Sequence, residues 1–448
     1  MSCPLKAAAP TNIKRFFSVS NGLMERTFNS NEGMIHLPLS SLQLYSKFFD
    51  VIHDAFPRKL TRILLTSGDL ILNHPLHLYA LFNTPTLQNY FLTNSCRELP
   101  GSIYIHEFGH ARALRAWNRQ YTYRANQSEF NNAIGYYKHF FNSLNCASSA
   151  STLPKDNQSE WGMLAIIIAA GINNQHYLAR KIEKLIDTHG GHVGYFASYF
   201  QNKLAGLNYA LHTDFHIKHN TGGGKDVVKL INDAYDKNLT TNYMINSGLL
   251  ACLCSGSTWS FLSGWWNYVQ TGDPSVTPIR WKGFRWPDFS VYYNTNGVSV
   301  EISSSYQHSD NLSFDLSWEF ICKKITSKVT DFIDRQKYKI DATWQISPGF
   351  RYTYTPPSNN SIFYFNGRLD VSKSGIGGSC GVEWKPQSIP LSFFAQYTLY
   401  NLNTLYGERN IPFVLVGDSE NDGTSTRANV TKESPFCNEI LVGVSYNY

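Results

Sequence analysis

The sequence predicts an α+β protein: a mainly helical N-terminal domain carrying a HExxH helix, then a C-terminal antiparallel β meander that is barrel-like or a curved sheet. Three observations carry this expectation. Near residue 280 the hydrophobic pattern changes from apolar runs of mixed length to sustained period-two alternation. The change follows a stretch that breaks every regular period, with Gly272, Pro274, Pro278, Gly283 and Pro287. The chain is also rich in aromatic residues, 15% of 448, which favours strands or membrane-interface surfaces over a charged helical array.

Taken in order, residues 1–35 read as an N-terminal extension. Its first twenty residues carry Lys6, Lys14 and Arg15 but no continuous apolar stretch, so no secretory signal is visible. Residues 36–272 read as the helical domain, and two charge-free runs stand out in it. Trp161 to Ala179 is apolar through Met163 to Ala170 and then turns polar at Asn173, Asn174, Gln175 and His176. Ile245 to Val269 ends in Trp265, Trp266 and Tyr268. Both approach the roughly 20 residues that cross a bilayer, and both also suit a buried helix pair of a water-soluble fold.

Residues 284–448 read as the β domain, with about eight to ten strands. Leu312, Phe314, Leu316, Trp318 and Phe320 alternate with Ser313, Asp315, Ser317 and Glu319. The same period holds for Tyr338 to Ile346, Phe350 to Tyr354, Leu391 to Leu399 and Ile440 to Tyr448. Asn296-Gly297, Ser309-Asp310 and Gly375-Ile376-Gly377-Gly378 supply chain reversals. The last strand, alternating and ending on Tyr448, resembles the closing strand of Gram-negative outer-membrane barrels. That resemblance implies an outer-membrane or other cell-envelope location; a soluble sandwich would show similar alternation.

Composition excludes several classes. A hydrophobic share of 42% with 16% charged residues excludes disorder. A net charge of +6 with no basic block speaks against nucleic acid as a partner. Eight cysteines without a CxxC pair signal neither a zinc ribbon nor a disulfide framework.

The feature that carries chemistry is His106-Glu107-Phe108-Gly109-His110. With 14 His and 14 Glu in the chain, chance supplies such a pentad on the order of 0.01 times. Ser102 is the expected N-cap of a helix from Ile103 to Trp117. On that helix His106 and His110 lie one turn apart and can grip one Zn2+, while Glu107 beside them can take a proton from metal-bound water. A third ligand is needed. His176 is the preferred candidate, because polar groups on so apolar a run must find partners inside, and Glu129 is the alternative. The alternate-residue set His212, Asp214, His216 and His219 reads as a solvated loop.

The pentad resembles that of the zinc metallopeptidases called zincins, and its wording through Ala111 is similar to membrane-associated members including site-2 proteases. The resemblance implies peptide-bond hydrolysis, zinc on His106 and His110, and Glu107 as general base. Glu129, nineteen residues after His110, is spaced like the gluzincin glutamate. Ala113 and Ala116 stand where metzincins carry Gly and a third His, and no Leu-Asp-Gly segment of the site-2 type is present. The expectation is therefore a membrane-associated zinc-dependent peptidase acting on a peptide or protein. The competing expectation is a non-enzymatic envelope β-barrel or structural protein whose helices plug or brace the sheet.

Overall fold

The computed structural model describes residues 12–20, 46–47, 49–72, 100–116, 121–125, 128–130, 150–154, 165–211, 231, 238–294, 296–325, 342–357, 361–389, 391–401, 403–410, 416–417, 426–427 and 436–447. The chain is mixed helix and strand, built around an antiparallel sheet. The strands in chain order are β1 (Asn12–Ser20), β2 (Tyr121–Ala125), β3 (Ser128–Phe130), β4 (Ala150–Pro154), β5 (Gly191–His192), β6 (Ser275–Val276), β7 (Arg280–Trp281), β8 (Phe284–Arg285), β9 (Asp288–Asn294), β10 (Gly297–Ser309), β11 (Leu312–Lys324), β12 (Trp344–Tyr354), β13 (Ser361–Ser372), β14 (Ile376–Pro386), β15 (Leu391–Asn401), β16 (Val416–Gly417), β17 (Thr426–Arg427) and β18 (Phe436–Asn447). The helices are α1 (Lys59–Leu72), α2 (Pro100–Ala116), α3 (Ala165–His189), α4 (Phe196–Lys203), α5 (Thr241–Cys254), α6 (Gly256–Thr271) and α7 (Leu405–Asn410).

The main sheet runs β1-β18-β15-β14-β13-β12-β11-β10-β8-β7, with β9 pairing β10 off that path. It is open among the described residues, with β1 at one edge and β7 at the other, so the barrel-like form of the expectation is not reached there. From β10 to β15 each strand pairs with its sequence neighbour, as short chain reversals between alternating segments dictate. β1 comes from the expected extension and pairs with β18, Asn12 opposite Asn447.

Several expected boundaries move. Two expected segments, the end of 338–346 and 350–354, are one 11-residue strand, β12, that runs through Pro348. Pro348 has no N–H to give, and its ladder to β13 skips from Ile346↔Val371 to Gly349↔Arg368 while Leu316↔Pro348 is kept on the other side. The charge-free run Ile245 to Val269 is not one helix but two, α5 and α6, parted at Ser255. Ser255 Oγ donates to Ala251 O and accepts from Phe289 N, spending the hydroxyl on the break. α6 then stops at Gly272, whose φ of 87° lies in the left-handed region that glycine adopts without a Cβ penalty. Among the described residues no helix is long and apolar enough to cross a membrane.

Packing runs across the expected boundary near residue 280. One buried cluster joins Ile168 and Ile172 of α3 and Met244 of α5 to Val291 and Tyr293 of β9 and Val298 of β10. A separate helical domain carrying the motif is therefore not what the packing shows. A second cluster holds Phe108 of α2, Leu178 and Ile182 of α3, Tyr199 of α4 and Phe261 of α6. The region expected as helical also contains a three-stranded sheet, β3-β2-β4.

On the main sheet the polar face is the buried one and the apolar face the exposed one. Ser317, Glu319, Gln345, Ser347 and Asp370 are buried, whereas Leu316, Trp318, Ile346 and Leu369 on the opposite face are exposed. The polar face is covered in part by the charged half of α3. Asp187 accepts from Arg351 Nη2 at 2.7 Å and from Ser305 Oγ at 3.0 Å, and is also paired with Arg280 and Arg285. Lys203 of α4 meets Glu183 of α3 at 2.5 Å, both buried.

Candidate metal centre

α2 begins at Pro100, which lacks the N–H that a first helical turn leaves unpaired anyway, so the helix starts before the expected cap Ser102. The motif falls two turns in. His106 is 1% exposed, Glu107 7% and His110 8%, so all three side chains are withdrawn from water.

The two imidazoles converge. His106 Nε2 lies 3.1 Å from His110 Nε2, and the ring centroids are 4.8 Å apart. Two nitrogens bound tetrahedrally at about 2.0–2.1 Å to one zinc would be separated by roughly 3.4 Å. The observed gap is close to that value, and it also suits one proton shared between the rings. The other nitrogen of His106, Nδ1, is 3.0 Å from Gln175 Oε1 on α3. A carbonyl oxygen there accepts from Nδ1–H, and that tautomer turns the Nε2 lone pair toward His110. Tyr209 stacks on the His106 ring at 4.6 Å with the planes 13° apart, closing its other side.

This approach depends on small residues. A Cβ at Gly109 would stand 2.3 Å from Ala170 O, and one at Gly171 would stand 2.5 to 2.6 Å from atoms of the His106 ring. The backbones of α2 and α3 are therefore at contact beside the pentad. Asn174 Nδ2 donates to Ile105 O at 2.8 Å, tying α3 to the turn that carries His106.

The structure does not bring His176 to this pair. Successive residues of a helix point about 100° apart. Ala170, Gly171, Asn174 and Gln175 therefore face α2, while Asn173 and His176 face β9. Asn173 bonds both the N and the O of Tyr293, at 2.9 and 2.8 Å. His176 Nδ1 donates to Val291 O, and its Nε2 accepts from Gly206 N at 3.3 Å. With both nitrogens spent, burial pushes its pKa down to about 4, so the ring is neutral at pH 7.

Glu129 is not there either. It sits on β3, 53% exposed, and its carboxylate pairs with Arg124 of β2, with Nε at 3.1 Å. His212, Asp214, His216 and His219 lie outside the described residues. Among the described residues no group of three or more His, Cys, Asp or Glu is gathered for a metal. The fit to zinc thus consists of two convergent nitrogens, a fixed tautomer and a carboxylate on the same helix.

Gln175 and Tyr209 were not expected as parts of the site. The polar quartet Asn173 to His176 on an apolar helix signals that buried partners exist, and nothing in the local pattern says which residue takes which partner. Searched against family models, curated proteins and solved structures, the chain matches none.

Proposed function

We propose that the chain is a zinc-dependent hydrolase of peptide bonds, with His106 and His110 holding the metal and Glu107 acting as general base. The observation that supports this reading is the 3.1 Å approach of the two Nε2 atoms, with His106 locked from behind by Gln175. Bound zinc would lower the pKa of its water to about 7 and polarise the scissile carbonyl. Glu107 follows His106 on the same helix and is withdrawn from bulk water. It would take the proton from the attacking water and return it to the leaving amine. In this reading α2 and α3 are the chemical part of the molecule and the sheet is the body that holds them.

The test separates binding from turnover. Purified chain is expected to hold about one zinc, lost in His106→Ala. Glu107→Gln is expected to keep the zinc and lower peptidase activity roughly 100- to 10,000-fold. Unchanged proteolysis in Glu107→Gln would end the proposal.

A second reading is favoured by a different observation, the buried polar face of the sheet with α3 seated on it. It makes the chain a non-enzymatic envelope protein in which the helices brace the strands. A chain that binds no zinc under any condition, folded as judged by circular dichroism, would select this second reading.

A further inference from the structure

Six neighbouring strands, β11 to β15 and β18, are 11 to 13 residues long. One face of that sheet presents Leu316, Ile346, Leu369, Val382 and Ile440, one from each of five strands and 36 to 53% exposed. No exposed position of β12, β13, β14 or β15 carries a charge. The charges of these strands lie on the other face, where Arg351 bonds Asp187 and Asp315, and Arg368 bonds Asp370. A sheet that folds in water buries its apolar face on a core and leaves the polar one wet. Here the polar face has its core, made of ion pairs, and among the described residues nothing covers the apolar face.

The apolar face also carries aromatic rings toward its ends. Toward the end where Tyr354 and Ser361 join β12 to β13, an aromatic row crosses four strands. Tyr352 stands opposite Phe365 with rings 6.4 Å apart, and Trp384 opposite Phe393 with rings 5.4 Å apart. At the other end Trp344 stands opposite Phe320, whose ring is 4.8 Å from Trp318. Between these ends the face mixes aliphatic residues such as Leu316, Ile346 and Leu369 with further exposed aromatics, Phe314, Phe350 and Tyr397. β12 covers the interval from Trp344 to Tyr354 in 11 residues. At about 3.3 Å per residue that is roughly 33 Å along the strand, or about 25 Å in height at a 40° tilt. An apolar face of that height, with aromatic rings toward both ends of β12, fits the hydrocarbon layer of a bilayer.

We infer that the outward face of β11 to β15 and β18 contacts lipid acyl chains, with the ion-paired face turned away from lipid. The occupant is the hydrocarbon of a phospholipid bilayer. A second copy of the chain would bury an apolar face equally well, but it gives no reason for four adjacent strands whose exposed positions are all uncharged over a height that matches the hydrocarbon layer.

The experiment uses the full chain folded into phosphatidylcholine vesicles with and without bromine in mid-acyl positions. The chain is expected to float with the vesicles and to resist carbonate extraction. The emission added by Leu369→Trp is expected to be lost in brominated vesicles and kept in unbrominated ones. Far-UV circular dichroism in the same vesicles verifies that this variant is folded, and Ile440→Trp serves as the replacement if it is not. A chain that stays in the aqueous fraction, or an added emission indifferent to bromine, overturns the inference. So does a water-soluble dimer that protects this face without lipid. The inference does not rest on the metal centre: His106→Ala should float unchanged, and a chain that cleaves peptides without floating would defeat this inference alone.

Discussion

At His106 one ring is fixed at both nitrogens, by Gln175 on one side and His110 on the other. Removing the outer partner should loosen the inner one. Gln175→Leu is expected to weaken zinc affinity roughly 10- to 100-fold without unfolding the chain. Competition with a chromophoric chelator measures it, and an unchanged affinity would deny Gln175 its orienting role. His176 has a different signature. Unfolded, its ring titrates near 6.5; folded, near 4, because burial disfavours the cation. Between those values the unfolded chain binds the extra proton, so stability present above about pH 6.5 is lost as pH falls toward 4. The loss amounts to about 3 kcal/mol, and His176→Gln should flatten that slope in denaturant unfolding followed from pH 7 to 4.5. The pentad was legible because its spacing is local, four residues on one helix. The role of His176 was not, because its acceptor Val291 lies 115 residues downstream and only the packing of α3 on β9 brings the two together.

At the scale of elements, α3 is the hub, joined to α2 through Gly109, Gly171 and Asn174 and to the sheet through Asp187. Gly109→Ala would force a methyl group 2.3 Å from a backbone carbonyl, which no rotamer change relieves. We expect it to destabilise the chain by roughly 1–3 kcal/mol or more, read as a lowered denaturant midpoint. Asp187→Asn would leave Arg280, Arg285 and Arg351 crowded without their shared anion and is expected to cost about 3–5 kcal/mol in the same assay. A change within 0.5 kcal/mol would show that the cluster is screened by water. The strands were readable because alternation of Ser313 to Glu319 with Phe314 to Phe320 admits only a period of two. The helix break at Ser255 was not, since the serine that ends α5 does so by bonding Phe289 on β9, 34 residues away.

Over the whole molecule, the alternation revealed two faces but not which one meets the core. That was decided by α3, whose charges can be satisfied only on the polar side. Leu369→Arg on the outward face is expected to destabilise the lipid-inserted chain by about 2–4 kcal/mol, whereas the same change should cost little if that face meets water. Guanidinium titration in vesicles and in detergent-free buffer distinguishes the cases.

Deep burial of the histidine pair also limits traffic to it. His106 is 1% exposed and Tyr209 stacks on its ring, so among the described residues the pair is withdrawn from the surface. Metal should then leave only when the neighbouring segments breathe open, so the stripping rate by excess chelator should level off at the opening rate instead of climbing with chelator concentration.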